Sequence, residues 1–169
     1  MRVDELKSAA YALMANADIP YGKSAKARLR YVPRDVFELY KERLPTNWRK
    51  RATHFYTEFE RVQQGAEAWR RGDLATFGQL VFDSGWSSIF NYETGSPQLI
   101  KLYDIMRDTD GIYGGRFSGA GFKGCCMALV NPECKDRIAE KVEREYLTAF
   151  PELRVKFSIH WCQTVDGCG

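Results

Sequence analysis

Between Gly114 and Val130 the chain reads GGRFSGAGFKGCCMALV, and the chemistry of that stretch belongs to backbone more than to side chains. A loop of Ser118, Gly119, Ala120, Gly121, Phe122, Lys123 and Gly124 sits between two short apolar runs. Glycine serves where the chain must take positive φ or lie close against another group. Successive loop N–H groups can also form a concave nest for an anion. Gly119, Gly121 and Gly124 spell G-x-G-x-x-G, but a dinucleotide site needs a helix starting at the loop and an acidic residue about 20 positions on. Here Cys125 to Val130 is an apolar run that stops at Asn131-Pro132, so the expected form is a strand–loop–strand hairpin. Two uses of that hairpin stand at this point: an anion nest, or a tight turn with no ligand.

A second stretch with chemical potential is Asp83 to Gly95, DSGWSSIFNYETG. Ser84, Ser87, Ser88, Asn91 and Tyr92 lie there among Trp86, Ile89 and Phe90. Either part of the segment borders a cleft, or it is an irregular helix end with Trp86 and Phe90 in the core. Metal and disulfide chemistry have little support. The five cysteines, Cys125, Cys126, Cys134, Cys162 and Cys168, contain no C-x-x-C pair, and His54 and His160 are the only histidines. Free, mostly packed thiols in a reducing cytoplasm are the plain reading, with Cys125 and Cys126 side by side in a strand and facing opposite ways.

The elements that must position these residues follow from period and punctuation. Val3 to about Ala17 reads as a helix, Asp18 to Tyr31 as a basic connection, and Pro33 opens a short helix to about Leu44. Thr46 is expected to cap the next helix. There Trp48, Ala52, Phe55, Phe59, Val62, Ala66 and Trp69 recur at steps of 4, 3, 4, 3, 4 and 3 on one face. Such a seam can belong to a coiled coil, but its two alanines and terminal tryptophans fit better with packing inside a small bundle. Arg70-Arg71-Gly72-Asp73 ends that helix and caps another from Leu74 to about Ser84, with Leu74, Phe77, Leu80 and Val81 facing inward. Pro97 starts a helix to about Arg107, with Leu99, Tyr103 and Met106 on one side.

After Gly111 the period changes. Ile112 to Ser118 and Cys125 to Val130 are the hairpin arms. Asn131-Pro132-Glu133 then caps a helix to about Ala149, with Ile138, Val142, Tyr146 and Phe150 at helical spacing. Leu153, Val155, Phe157, Ile159 and Trp161 alternate strictly, which predicts a half-buried strand. Asp166 to Gly169 forms a polar tail. The expected fold is α+β: helices followed by β-β-α-β, an antiparallel sheet covered by helices.

The 169 residues are 44% hydrophobic and 28% charged, an ordinary globular mix sufficient for one core. A net charge of +3 argues for neither nucleic acid nor anionic membrane. Residues 1–71 hold 15 Lys/Arg against 9 Asp/Glu, which is either a partner surface or a solvated helix face. The first fifteen residues carry Asp4, Glu5 and Lys7 and no apolar signal region, and no uncharged stretch is long enough to span a bilayer.

The block RFSGAGFKGCCMALV resembles the third motif of the GHMP sugar kinases in its galactokinase form. HFYTEFERV (His54 to Val62), GAEAWRRGDLATFGQLV (Gly65 to Val81), SGWSSIFNYETGSPQLIKLY (Ser84 to Tyr103) and GIYGGRFSGAGFKGCC (Gly111 to Cys126) follow the C-terminal half of galactokinases in order. They are most similar to the galacturonokinase branch, and RVDELKSAA (Arg2 to Ala10) resembles the start of that half.

The resemblance implies one domain over 1–169, the C-terminal domain of a sugar-1-kinase, without the N-terminal ATP- and sugar-binding domain. The complete enzyme would move the ATP γ-phosphoryl to the anomeric hydroxyl of galactose or galacturonate, with Mg²⁺. No catalytic residue or metal ligand is expected in this chain, and no cofactor tightly bound to it alone. The family's Tyr-Asn sugar contact would fall just upstream of Met1, so Met1 is expected to mark an internal start, a split gene or an engineered boundary. The Ser118–Gly124 loop would brace the phosphate site. Lys123 would meet phosphate or a uronic carboxylate, or else sit at a solvated loop tip. Trp86 stands where the family leads one to expect leucine. The partner would be the N-terminal kinase half, from the same gene or a separate chain, or a second copy meeting the exposed seam, and the location cytoplasmic. The alternative is a non-catalytic sugar- or phosphate-binding or protein-interaction module that kept the fold.

Overall fold

A computed structural model describes residues 2–20, 27–119, 121, 122 and 124–163. Ala120, Lys123, Cys168, the middle of the basic connection and the polar tail lie outside the described residues. Among the described residues six α-helices and one hairpin follow in order: α1 (Arg2–Asn16), α2 (Arg34–Tyr40), α3 (Thr46–Arg70), α4 (Leu74–Phe90), α5 (Pro97–Arg107), β1 (Ile112–Phe117), β2 (Cys126–Val130) and α6 (Lys135–Ala149). This is the α+β arrangement expected, with a small antiparallel sheet covered by helices.

Local signals account for most boundaries. Asp73 accepts a hydrogen bond from Thr76 N at 3.0 Å and caps α4, a contact worth about 1 kcal/mol. Ser96 does the same for α5 through Leu99 N at 3.3 Å, with Pro97 in the first turn. Asn131 caps the 3₁₀ turn Pro132–Cys134 that leads into α6. Thr46 does not cap α3. The cap position is Pro45, Thr46 is already helical, and no side chain bonds the first turn.

Among the described residues three apolar clusters form. Leu13 of α1, Phe37 of α2 and Ala52 and Tyr56 of α3 centre the first, where the Phe37 and Tyr56 rings stack at 4.6 Å. Ile105, Ile138, Val142, Tyr146 and Leu147 join α5 to α6. Phe82, Tyr103 and Met106 join α4 to α5. Helix α4 then lies directly on β1, because Gly78 and Gly114 meet backbone to backbone. A Cβ on Gly78 would stand 2.0 Å from the Tyr113 carbonyl oxygen, and one on Gly114 would stand 2.2 Å from the Gly78 oxygen.

Several further expectations need correction. The α3 seam is packed only in its first half: Trp48, Ala52 and Phe55 lie against the first cluster, while Phe59, Val62, Ala66 and Trp69 are exposed. α3 meets α4 on a neighbouring face, where buried Gly65 and Ala68 let the backbones approach. On α4 the buried side is correspondingly Gly78 and Phe82; Leu74 is exposed and Phe77, Leu80 and Val81 are half-buried.

α4 also continues to Phe90 as regular helix, and the exposed Trp86 and Phe90 rings contact each other at 4.9 Å rather than entering the core. Finally, no strand forms over Leu153–Trp161. Pro151–Leu153 is a 3₁₀ turn, and Leu153 O accepts from both Lys156 N and Phe157 N, so the chain is still turning there. Phe157 and Ile159 do pack on the α5–α6 cluster, as alternation predicts, but Val155 is 90% exposed. Among the described residues the sheet has two strands.

Candidate functional site

The glycine loop leaves β1 after Phe117 and is closed by Ser118 N donating to Cys125 O at 2.9 Å. It enters β2 rather than a helix, which removes the dinucleotide fingerprint. Gly119, Gly121 and Gly124 all have positive φ, at 81°, 79° and 135°. Gly121 is buried, and a Cβ there would stand 2.8 Å from the Phe117 ring and 3.0 Å from Thr94 Cβ. Gly119 is exposed, with nothing within 4 Å of its Cβ position. Phe122 is exposed under the Arg2 guanidinium, 5.4 Å from ring centre. Cys125 is exposed just outside β2; burial, then the neighbouring Cys125, pushes the Cys126 thiol up to about 12. Cys162 is exposed too, so packing protects fewer of the thiols than expected.

The loop rests on the turn after α4. Gly121 O accepts from Ser96 N at 2.8 Å. That turn is held from beneath by Arg51 of α3, 2% exposed, which donates to Glu5 Oε2 at 2.7 Å, Asn91 O at 2.5 Å and Glu93 Oε2 at 2.7 Å. Arg2 reaches the Tyr92 carbonyl at 2.8 Å, and Thr94 Oγ1 donates to Ser88 O at 2.9 Å. Burial works against the Arg51 charge, but Glu93 and Glu5 outweigh it and raise its pKa. Hydrogen bonds from Arg51 and Lys50 hold the Glu93 carboxyl down at about 2. Glu93 keeps a positive φ of 55°, a rare conformation for a residue with a side chain.

A polar network continues from this turn between α3, α4 and β1. Ser84 Oγ donates to Glu58 Oε2 at 2.6 Å, and Arg61 Nε donates to Glu58 Oε1 at 2.6 Å. Arg116 of β1 donates to Ser84 Oγ, reaches Ser88 Oγ at 3.4 Å and stands 3.5 Å from Glu58 Oε2. His54 Nδ1 and Ser87 Oγ are 2.9 Å apart, and Asn91 Nδ2 donates to Ser87 Oγ at 3.1 Å. The Tyr92 ring lies 5.0 Å from His54. Burial holds His54 below its ordinary value, against the pull of Glu58. Burial pushes Glu58 up, yet Ser84 and Arg61 outweigh it and keep the carboxyl low. The network therefore carries a neutral imidazole beside an ionised carboxylate clamped by cations.

Ser84, Ser87 and Ser88 are buried and belong to this network, and Asn91 and Tyr92 are half-buried at its edge. Ser84 also reaches the wall of a groove of about 750 Å³ between α3 and α4, with Glu58, Arg61 and Arg116 at one end and Val62, Trp69 and Phe77 among its apolar walls. Tyr92 and His54 line a second groove of about 400 Å³. Residue-by-residue reading missed His54, Glu58 and Arg61, although their i, i+4, i+7 spacing puts them on one helix face. Arg51 and Arg116 had no local signal. Among the described residues no group of three or more His, Cys, Asp or Glu could hold a metal ion, and no helix is long and apolar enough to cross a membrane.

Residues 66–148 match the family model described as GHMP kinases C terminal. The chain is 43% identical over 152 residues to the galacturonokinase of Arabidopsis thaliana, a match covering 90% of this chain and 35% of that protein. It is 33% identical over 121 residues to the galactokinase of Bos taurus, covering 72% of this chain and 31% of that protein. The crystal structure of Lactococcus lactis galactokinase complexed with galactose superposes with a TM-score of 0.74 at 25% identity, covering 89% of this chain and 37% of that one. The chain spans about a third of the length of the curated relatives it matches. It belongs to the GHMP kinase family and carries that family's C-terminal domain.

Proposed function

We propose that residues 1–169 act as the C-terminal domain of a cytoplasmic sugar-1-kinase that, with the N-terminal remainder of such an enzyme, phosphorylates the anomeric hydroxyl of galactose or galacturonate. The observation that carries this reading is the 43% identity to a galacturonokinase across nine-tenths of the chain. ATP supplies the γ-phosphoryl group, and catalysis of this kind rests on positioning and charge stabilisation. This chain's part is to hold the Ser118–Gly124 loop against the phosphates. Gly119 fits that use, being exposed with open space around it, while buried Gly121 anchors the loop through Ser96. Mg²⁺ commonly takes one or two carboxylates plus substrate phosphates, and in this reading the nucleotide and the remainder hold it. Arg51 and the Ser84–Glu58–Arg116 network position the loop and do not touch the reacting atoms.

The test is to mix the chain with the part of the Arabidopsis galacturonokinase outside the matched span and assay ATP-dependent formation of sugar 1-phosphate. Galactose or galacturonate should be phosphorylated by the mixture and by neither component alone. A complex that binds either sugar without phosphorylating it would instead establish a non-catalytic binding module.

A further inference from the structure

Just past the end of α4, three successive carbonyls each accept from an arginine. Arg51 of α3 donates to Asn91 O at 2.5 Å. Arg2, the first residue of α1, donates through Nε to Tyr92 O at 2.8 Å and through a terminal nitrogen to Glu93 O. A helix C-terminus carries the negative end of its dipole, so cations are favoured there. The planar guanidinium fork of Arg2 serves two adjacent carbonyls at once, a geometry that the compact ammonium of lysine does not reproduce. Both arginines are tied to the first turn of α1, because Glu5 accepts from Arg51 Nε at 2.7 Å.

The two arginines differ in what lies on their other side. Arg51 is buried, and its remaining partners are the carboxylates of Glu5 and Glu93. Arg2 is half-buried, and its guanidinium carbon lies over the exposed Phe122 ring of the glycine loop, 5.4 Å from the centroid. A cation over an aromatic face at this distance is attracted by the ring quadrupole. The loop is thus held at two neighbouring residues: buried Gly121 through Ser96 N, and exposed Phe122 through Arg2. One side chain spans from the turn after α4 to the exposed half of the loop.

On the kinase reading above, we propose that Arg2 is a positioning residue for phosphoryl transfer: its fork fixes the turn while its cation holds Phe122, which sets how the exposed half of the loop meets the phosphates. It acts through the loop and touches no reacting atom. Misplacing a positioning group by about 1 Å can cost on the order of a hundredfold in rate, so a loosened loop shows in catalysis before it shows in stability. Arg51 has the opposite balance. Its removal leaves the Glu5 carboxylate, 13% exposed, without its cation, so that loss shows first in stability.

Steady-state kinetics of the chain mixed with the Arabidopsis galacturonokinase remainder, together with amide exchange of the chain alone, test this role. Arg2→Ala and Arg2→Lys should each lower kcat about tenfold and raise the KM for ATP several-fold, with the KM for sugar unchanged. Loss of folded protein would move neither KM. In the chain alone, a peptide covering Gly121 and Phe122 should exchange about tenfold faster in either variant. Phe122→Leu should lose part of the same activity, and combining it with Arg2→Ala should be no worse than Arg2→Ala alone, because both remove one contact. Should Arg2→Ala fail to fold, Arg2→Lys and Phe122→Leu decide. Full activity in Arg2→Lys would show that charge alone suffices and overturn the proposal while leaving the kinase reading intact. Additive losses in the double variant, or unchanged exchange at 121–122, overturn it in the same way. If the unaltered mixture phosphorylates neither galactose nor galacturonate, the kinase reading fails and this role fails with it.

Discussion

Ser84 on α4 donates its hydroxyl to Glu58 on α3 at 2.6 Å, while Arg116 of β1 donates to that same hydroxyl from the strand side. One serine oxygen thus ties two helices to the strand that launches the glycine loop. Glu58→Ala leaves Arg61 and Arg116 without their shared carboxylate and Ser84 without its acceptor. The expected cost is about 2 kcal/mol, read as a lower urea midpoint at unchanged slope. An unmoved midpoint would mean the network is solvated and contributes nothing.

Stability should fall with acid in stages. The folded state holds His54 below its ordinary value of 6.5 and Glu58 below its ordinary 4.5, so the unfolded chain binds more protons at both sites. The stabilisation is present above those values; it declines first as pH drops below 6.5, then again below 4.5. Glu93, held at about 2, adds a third loss between 4.5 and 2. Thermal melts across this range should show it, and His54→Gln should flatten the upper stage only.

The close approach of α4 to β1 tolerates no side chain. Gly78→Ala would put a methyl 2.0 Å from a backbone oxygen that no rotamer change can move aside. Overpacking of this kind costs about 3 kcal/mol, roughly 6–12 °C in melting temperature for a chain of this size. Gly114→Ala should behave alike, since it strikes the same contact from the other side.

Two loop glycines should respond differently to alanine. Both have positive φ, but Gly119 faces open space whereas Gly121 faces the Phe117 ring and Thr94. Gly119→Ala should cost about 1 kcal/mol of backbone strain. Gly121→Ala should cost more and loosen the loop from Ser96, seen as faster amide exchange at 121–122. Equal effects would mean the loop is not anchored there.

The hairpin, the Asp73 cap and the Pro97 helix start were legible because glycine, proline and capping residues act within a few positions of where they stand. The α3 stripe was legible as a helix face but not in its partners: whether Phe59 and Val62 find a neighbour depends on where α4 settles, which Gly65 and Ala68 decide by being small. Arg51 was invisible for a related reason, since its three acceptors come from residues 40 to 46 positions away. Alternation over Leu153–Trp161 correctly marked Phe157 and Ile159 as the packed side. It could not say whether a neighbouring strand was present to pair with. Several basic residues of 1–71 are held by carboxylates: Arg34 pairs with Glu38 and Glu60, Lys50 with Glu93, and Arg61 with Glu58.

Trp69 packs its ring 5.0 Å from that of Phe77, tilted by 59°, in the wall of the α3–α4 groove and remains 47% exposed. That makes it a built-in optical gauge. With Trp48, Trp86 and Trp161 changed to Phe, its red-shifted emission would turn blue whenever a second body covers that wall, with no label attached.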